Sequence, residues 1–495
     1  MKTKYLFTIA LTSLLMASCS EDTMDRINED KAHPEAGAVN AKYQLTDAEV
    51  ATAYSVVNGA YAWYVSSYTE QLFGTGNNQL KNAELRQIGE TAAASTFNNE
   101  WNATYLNLFN LNQIKAKCAE GGVSDGQYDI LGMAQTLEAL NWGVLTDLHG
   151  DVPFSECFSN ISAPKVDKQE DIYKAIINLL DEAIANFATG EKNAGSQDIL
   201  FGGDLDKWTG FAHALKARYL LHTYGRNNNV LNEVLTEANA AIAAGFDGVA
   251  LDVFNGVTAD NSWSAYWWSR EYNGSSTTVD DLLLARNDPR EAIYNCDYWE
   301  YDIVGEPGNS DMAMATEVIN IPQWLDNGAA PLHLFSKAEL YFIIAEAKAR
   351  LGQDAAAEFQ EGVLASIADY SDNGAVYYGA ISDADAADYL TSLQARFDAD
   401  PLSEILIQKY IAQARDEQIE TYNDIRRCLY VDGSYPVTLT NPNNTSSAGN
   451  RWPLRLPYGE SDVQSNPNVA AAFGSGSEAG NYIFTENVWW AGGSR

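Results

Sequence analysis

Between Asp260 and Ser276 the chain carries Trp263, Tyr266, Trp267, Trp268 and Tyr272. Asp260-Asn261-Ser262 precedes them and Asn273-Gly274-Ser275-Ser276 follows. Three of the 12 tryptophans fall in this one run, which sets it apart from the rest of the chain. Large flat rings stack on the apolar faces of sugars and of other flat cargo, while Asn and Asp orient polar groups. These residue types suit binding, not bond breaking. The bland alternative is a short helix end that fills a core. If the run is helical, Tyr266, Trp267 and Trp268 leave the axis in different directions and cannot share one face. Tyr298-Trp299-Tyr301 forms a second cluster, and Tyr298 and Trp299 join the candidate ligand contacts. Smaller groups are Trp63-Tyr64 with Tyr68, Tyr377-Tyr378, and Trp489-Trp490, the last placed to pin the tail.

Catalytic patterns are missing. The chain has no HExxH, Walker A, GxSxG or dinucleotide fingerprint, so no cofactor is expected. Five histidines are present, and His213 and His222 are out of register for joint metal binding, so no metal is expected. Glycosidases need two carboxylates across a cleft. Glu339 and Glu346 share a helix face, but Glu339 reads as part of a cap and Glu346 as a partner for a base near Arg426-Arg427. In Asp147-Leu148-His149-Gly150-Asp151-Val152-Pro153 the Gly and Pro mark a helix stop and a turn. No catalytic residue is assigned.

Helices dominate the elements that must hold these groups. Thr46-Asp47-Ala48-Glu49 reads as a capping box, followed by Val50, Ala53, Tyr54, Val57 and Tyr61 on one face. Trp101, Tyr105, Leu108, Phe109 and Asn112 repeat that spacing, and residues 127–148 form another helix. Asp167 is expected to cap a helix striped by Ile172, Ile176, Leu179, Leu180, Ala183 and Phe187, with Gly190 past its end. Further helices are predicted at 205–224, 230–244, 354–367 and 403–430, and one opened by Ser336-Lys337-Ala338-Glu339. Short connections make antiparallel hairpins of a tetratricopeptide-like kind, without a clean 34-residue consensus. Residues 247–335 and 431–495 read as long irregular stretches over this frame, and their aromatic content argues against disorder.

The N-terminus sets the compartment. Lys2 and Lys4 precede an apolar run from Leu6 to Ala17 that is too short to span a bilayer, the layout of a secretory signal over residues 1–18. Leu15-Met16-Ala17-Ser18-Cys19 resembles a bacterial lipobox, which makes Cys19 the lipidated first residue of a tether over 19–42. Ser20-Glu21-Asp22 resembles an acidic tag for the outer face. Residues 43–495 are expected to form one helical unit. The net charge of −36 disfavours nucleic acid, which is gripped through Lys and Arg at phosphates. Cys118, Cys157, Cys296 and Cys428 show no CxxC; they read as buried thiols or as disulfides in any of three full pairings.

An ordered set of motifs resembles the SusD/RagB nutrient-binding outer-membrane lipoproteins, in particular their SusD-like second subgroup. It comprises Trp101-Asn102 with Tyr105, the stretch Thr146 to Glu156, Lys207-Trp208, and Ala214-Leu215-Lys216-Ala217-Arg218. It continues with Asn287-Asp288-Pro289-Arg290, Lys337-Ala338-Glu339, Glu346-Ala347, Gln408-Lys409-Tyr410, the stretch Glu420 to Arg427, and Trp489-Trp490. The resemblance implies four tetratricopeptide-like helix pairs under an irregular ligand-binding face. It implies a non-catalytic surface lipoprotein, anchored in the outer membrane through its lipid. Such a protein binds a nutrient, an oligosaccharide or a peptide, and passes it to a SusC-like TonB-dependent transporter. Ligand residues vary within that family, so none is carried over, and the candidates at 263–272 and 298–299 rest on aromatic density. The alternatives are a surface glycoside hydrolase and a transporter lid without cargo of its own.

Overall fold

A computed structural model describes residues 36–76, 79–295, 303–314, 319–374, 380–440 and 451–495. The signal, Cys19, Cys296, Tyr298, Trp299, Tyr301 and Tyr377-Tyr378 lie outside the described residues.

The fold is mainly helical. Asn98–Cys118 packs on Tyr128–His149, which packs on Gln169–Phe187, and the series continues through Leu205–His222 and Leu231–Ala243 to Lys337–Arg350 and Ala356–Gly374. This is the expected row of tetratricopeptide-like hairpins. The stripe Ile172, Ile176, Leu180, Ala183 and Phe187 is buried, Leu179 is half-buried, and Gly190 follows with φ +76°. Tyr128–His149 is buried nearly all round, because neighbours cover both its sides. One apolar core runs through this frame, and a smaller one gathers Phe342, Phe359, Leu393 and Phe397.

Several local readings need correction. The first helix begins at Lys42, so Thr46 and Glu49 lie inside it and do not cap it. Thr46 Oγ1 donates to the Gln197 carbonyl and Glu49 accepts from the Ile199 N–H, tying a later loop to this helix. Asp167 sits in a two-residue strand and accepts from the Phe154 and Ser155 N–H groups, while Asp151 takes the Gln169 N–H at the helix start. Ser336 does cap its helix, accepting from the Glu339 N–H at 3.0 Å. The return bond comes from Glu417, not Glu339, whose carboxylate pairs with Arg218. The predicted 403–430 helix is two, Pro401–Gln413 and Gln418–Val431, and the Asp383–Ala399 helix was not anticipated.

The 247–335 region is built from short pieces held by two-stranded pairings. Val249–Leu251 pairs antiparallel with Leu332–Phe335, and Asn273–Gly274 pairs with Phe73–Gly74. Between them lie the helices Ser262–Arg270 and Thr277–Leu284. No described helix is long and apolar enough to cross a membrane.

The motif charges are buried and paired with one another. Glu346 receives both Arg427 nitrogens, at 2.6 and 2.8 Å, as the base-partner reading expects. Lys409 meets Asp424 at 2.7 Å, and Arg290 forks onto Asp288. Such pairs add modest net stability but tie distant segments in one arrangement, since an unpaired buried charge is costly. Cys118, Cys157 and Cys428 are free thiols.

Candidate functional site

The aromatic groups at 63–68 and 263–272 converge. After a π-helical stretch, Ala51–Val57, the chain turns at Gly59 into the Ala60–Tyr68 helix. A Cβ on Gly59 would lie 2.2 Å from the Ser55 carbonyl oxygen, so only glycine lets the helix start there. Tyr61, Val65 and Tyr68 face the core, which leaves Trp63 and Tyr64 half-buried on the other side. The Ser262–Arg270 helix is capped by Asn261, whose side chain accepts from the Ser264 N–H at 2.9 Å. It ends at Glu271, with φ +56°.

Asn58 locks the two helices together. Its side-chain oxygen accepts from Trp263 Nε1 at 3.2 Å and its carbonyl from Ser262 Oγ at 2.7 Å. Its amide donates to the His333 carbonyl at 2.9 Å. With this anchor in place, Tyr266 lies face to face on Trp63, ring centroids 3.8 Å apart and 19° from parallel. Tyr272 meets Tyr266 edge-on at 6.3 Å.

The stacked pair forms one wall of an open cleft of about 370 Å³. Tyr54, Tyr64, Asn99, Glu100, Ser269 and Arg270 also line it. An adjoining cleft of about 250 Å³ shares Tyr64, Gln79 and Asn99 and adds Tyr68, Asn82, Glu90 and Ser95. Together they make a groove with aromatic walls and amide, hydroxyl and carboxylate groups along it. Trp63 Nε1 and the Tyr266 hydroxyl have no hydrogen-bond partner among the described residues. Burial, then the charges of Glu100 and Glu90, push the Tyr64 phenol well above its ordinary range. Burial likewise lifts the Glu100 carboxyl.

The other sequence candidates are placed differently. Trp263 and Trp267 lie in the core, at 1 % and 6 % exposure. Aromatic density does not separate these rings from Tyr266; helical rotation does, because each successive side chain turns about 100°. Trp268 is 55 % exposed, stands edge-on to Trp267 at 5.1 Å, and does not line the cleft. Tyr272 packs on Gly76, where a Cβ would fall 2.3 Å from its ring. Tyr54, read from periodicity as a core residue, is half-buried and lines the cleft. Glu90, Glu100, Asn82 and Asn99 carry no sequence signal of their own; they follow from the Trp63-Tyr64 pair only once the helices are placed.

His222 gathers with Asp147 and Glu420, with ligand atoms within 4.8 Å of one another. Tyr173, Trp490 and Asn423 already bond to this trio, and all three of its members are buried. Burial opposes the charged ring, but the two carboxylates outweigh it and raise His222 to about 9. The cluster is an ion-paired core element, and His213 is not part of it.

A SusD/RagB family protein from Bacteroides thetaiotaomicron shares the fold at a TM-score of 0.83 and 34 % identity, over 92 % of this chain and 100 % of its own. A chitin-binding protein superposes at 0.72 with 22 % identity, over 91 % of this chain and 100 % of its own. A chitin-binding SusD homolog from Flavobacterium johnsoniae does so at 0.66 with 19 % identity, over 90 % and 98 %. Comparison with curated proteins returns no match. Residues 28–459 match the SusD-like second family model, described as starch-binding and associating with the outer membrane. With that match and the 34 % identical relative, the chain belongs to the SusD-like family.

Proposed function

We propose that this protein binds a glycan in the groove walled by Trp63, Tyr64, Tyr54 and Tyr266 and passes it to a SusC-like TonB-dependent transporter. The observation that carries the reading is the Trp63–Tyr266 stack beside an open cleft. It presents fixed aromatic surface where a sugar ring would lie, with two unpartnered donors, Trp63 Nε1 and the Tyr266 hydroxyl, buried behind it. The family description as starch-binding supports a glycan over a peptide. Two relatives of the same fold are named for binding chitin, another glycan.

Hydrolysis needs two carboxylates facing one bond. Glu100 lines the first cleft and Glu90 the second, so release of shortened chains from the glycan panel would favour a hydrolase instead. Lipidation at Cys19 would hold the protein on the outer membrane, over its transporter. The test is retention in gels that contain neutral polysaccharides, with Trp63→Ala and Tyr64→Ala as comparisons. Retention lost in both variants while both stay folded at the assay temperature supports the reading. Retention unaffected by either moves the cargo elsewhere. Co-purification with a SusC-like transporter tests delivery.

A further inference from the structure

The two tyrosines that wall the groove feel different charges. Arg270 follows Tyr266 by one helical turn and bears on that residue's phenol. The charges that bear on Tyr64 are Glu100 and Glu90. Glu100 is half-buried and Glu90 is exposed, and neither carboxylate has an ion pair or side-chain hydrogen bond among the described residues. Glu346, Asp424 and Glu420 are each matched to Arg, Lys or His, whereas Glu100 and Glu90, like the buried Glu49 and Asp280, are not. A carboxylate withdrawn from water with no cation beside it gains most from a ligand that brings one. The wall next to it is aromatic, and the face of a Trp or Tyr ring also attracts a cation. Tyr266 lines the same cleft, is 9 % exposed, and its buried hydroxyl has no partner among the described residues, an independent sign of unmet polar demand beside the cleft.

We propose that the Tyr64 end of this groove selects a glycan that carries protonated amines, such as a chain of hexosamine units, with Glu100 as the contact and Glu90 extending it into the adjoining cleft. The inference rests on the groove being the glycan site. A neutral sugar would stack equally well on Trp63 and Tyr64 but would leave Glu100 without a counter-charge. A uronic or sulfated chain would bring like charge to that carboxylate. Arg270 lines the same cleft as Glu100 but is exposed, so water screens it more than Glu100.

The test is calorimetric titration of the full chain in detergent at about pH 6, where a sugar amine is charged and a carboxylate largely ionised. The probes are short glucosamine oligomers, their N-acetylated counterparts, malto-oligomers and the acyclic polyamine spermine. Glucosamine oligomers should bind about tenfold more tightly than the N-acetylated ones, a difference of about 1.4 kcal/mol. Spermine, which has amines but no ring, should bind more weakly than the glucosamine oligomers. Glu100→Gln with Glu90→Gln should bring the affinities for the glucosamine and the N-acetylated oligomers within about twofold of each other. The preference should persist at about 1 M salt, where attraction to the acidic surface as a whole is screened. Equal affinity for amine and acetamide, a preference unchanged in the double variant, or one abolished by salt would each overturn the inference. If a neutral oligomer binds and Trp63→Ala removes it, yet no amine preference exists, the glycan-binding reading stands and this one falls. If none of the glycans binds, both fall.

Discussion

Trp63 and Tyr266 stack at 3.8 Å between ring centroids although they come from separate helices, and Asn58 is the residue that sets the spacing. Asn58 is fully buried and satisfies Trp263, Ser262 and the His333 carbonyl at once. Replacing it by Ala leaves the Trp263 N–H without its acceptor and the His333 carbonyl without its donor, while the Ser262 hydroxyl keeps the backbone carbonyl of residue 58. Loss of such buried bonds costs about 1–3 kcal/mol each. Asn58→Ala should therefore lower the melting temperature and also weaken glycan retention, because the stack loses its anchor. Asn58→Ala with intact retention would separate the anchor from the site.

The four aromatic residues of the Ser262–Arg270 helix should respond differently to truncation. Trp263→Ala opens a cavity in the core and should cost about 3–5 kcal/mol in denaturant unfolding. Trp268→Ala removes an exposed ring and should change stability by less than about 0.5 kcal/mol. Tyr266→Ala should cost both stability and binding, since one ring serves the stack and the cleft. Equal losses across the series would contradict this division.

The helical frame was legible because its signals are local. Gly190 and the Ile172–Phe187 stripe report their own helix. Glu346 was legible for a different reason: a carboxylate on a buried helix face needs a base, and Arg427 supplies it. The failures are residues whose partners are distant in sequence. Thr46 and Glu49 look like a cap, but Gln197 and Ile199 claim them. The site was half legible. Trp63-Tyr64 and Tyr266 stood out as aromatic, yet no periodicity tells that they meet, or that Trp263 faces inward.

Acid–base behaviour should follow the buried histidines. Burial opposes their charge, but Asp147 with Glu420, and Asp416 with Asp369, raise His222 and His333 to about 9. An unfolded histidine titrates near about 6.5, so this contribution is complete below that pH and is lost as pH rises through about 9. Asp416 and Glu420 are held at about 2 despite burial, by His333 with Arg415 and by Arg218 with His222. Their contribution is present above the ordinary carboxylate range and is lost as pH falls towards about 2. Thermal melts should show stability falling between about pH 6.5 and 9.5, with a smaller slope in His333→Asn. A flat profile over that window would contradict the pairing.

Glu49 offers an opposite kind of substitution. Burial first, then the neighbouring charge of Asp198, raises its carboxyl to about 10, so it is neutral in the fold at pH 7. A raised carboxyl contributes fully below the unfolded value and loses that contribution as pH climbs towards about 10. Glu49→Gln keeps the neutral shape and removes the cost of carrying a proton. It should raise the melting temperature at about pH 8 and change it little at about pH 4, as read by calorimetry. A fall at both values would show that the carboxyl serves as an anion.

The most direct measurement of the central claim is calorimetric titration of a glycan panel into the full chain and into Trp63→Ala, both in detergent and both checked by thermal melting. The account predicts that at least one oligosaccharide binds the parent chain and that Trp63→Ala, lower in melting temperature for want of the stack but folded at the assay temperature, loses about tenfold or more in affinity. Binding of the same oligosaccharide with equal affinity to both proteins would contradict it.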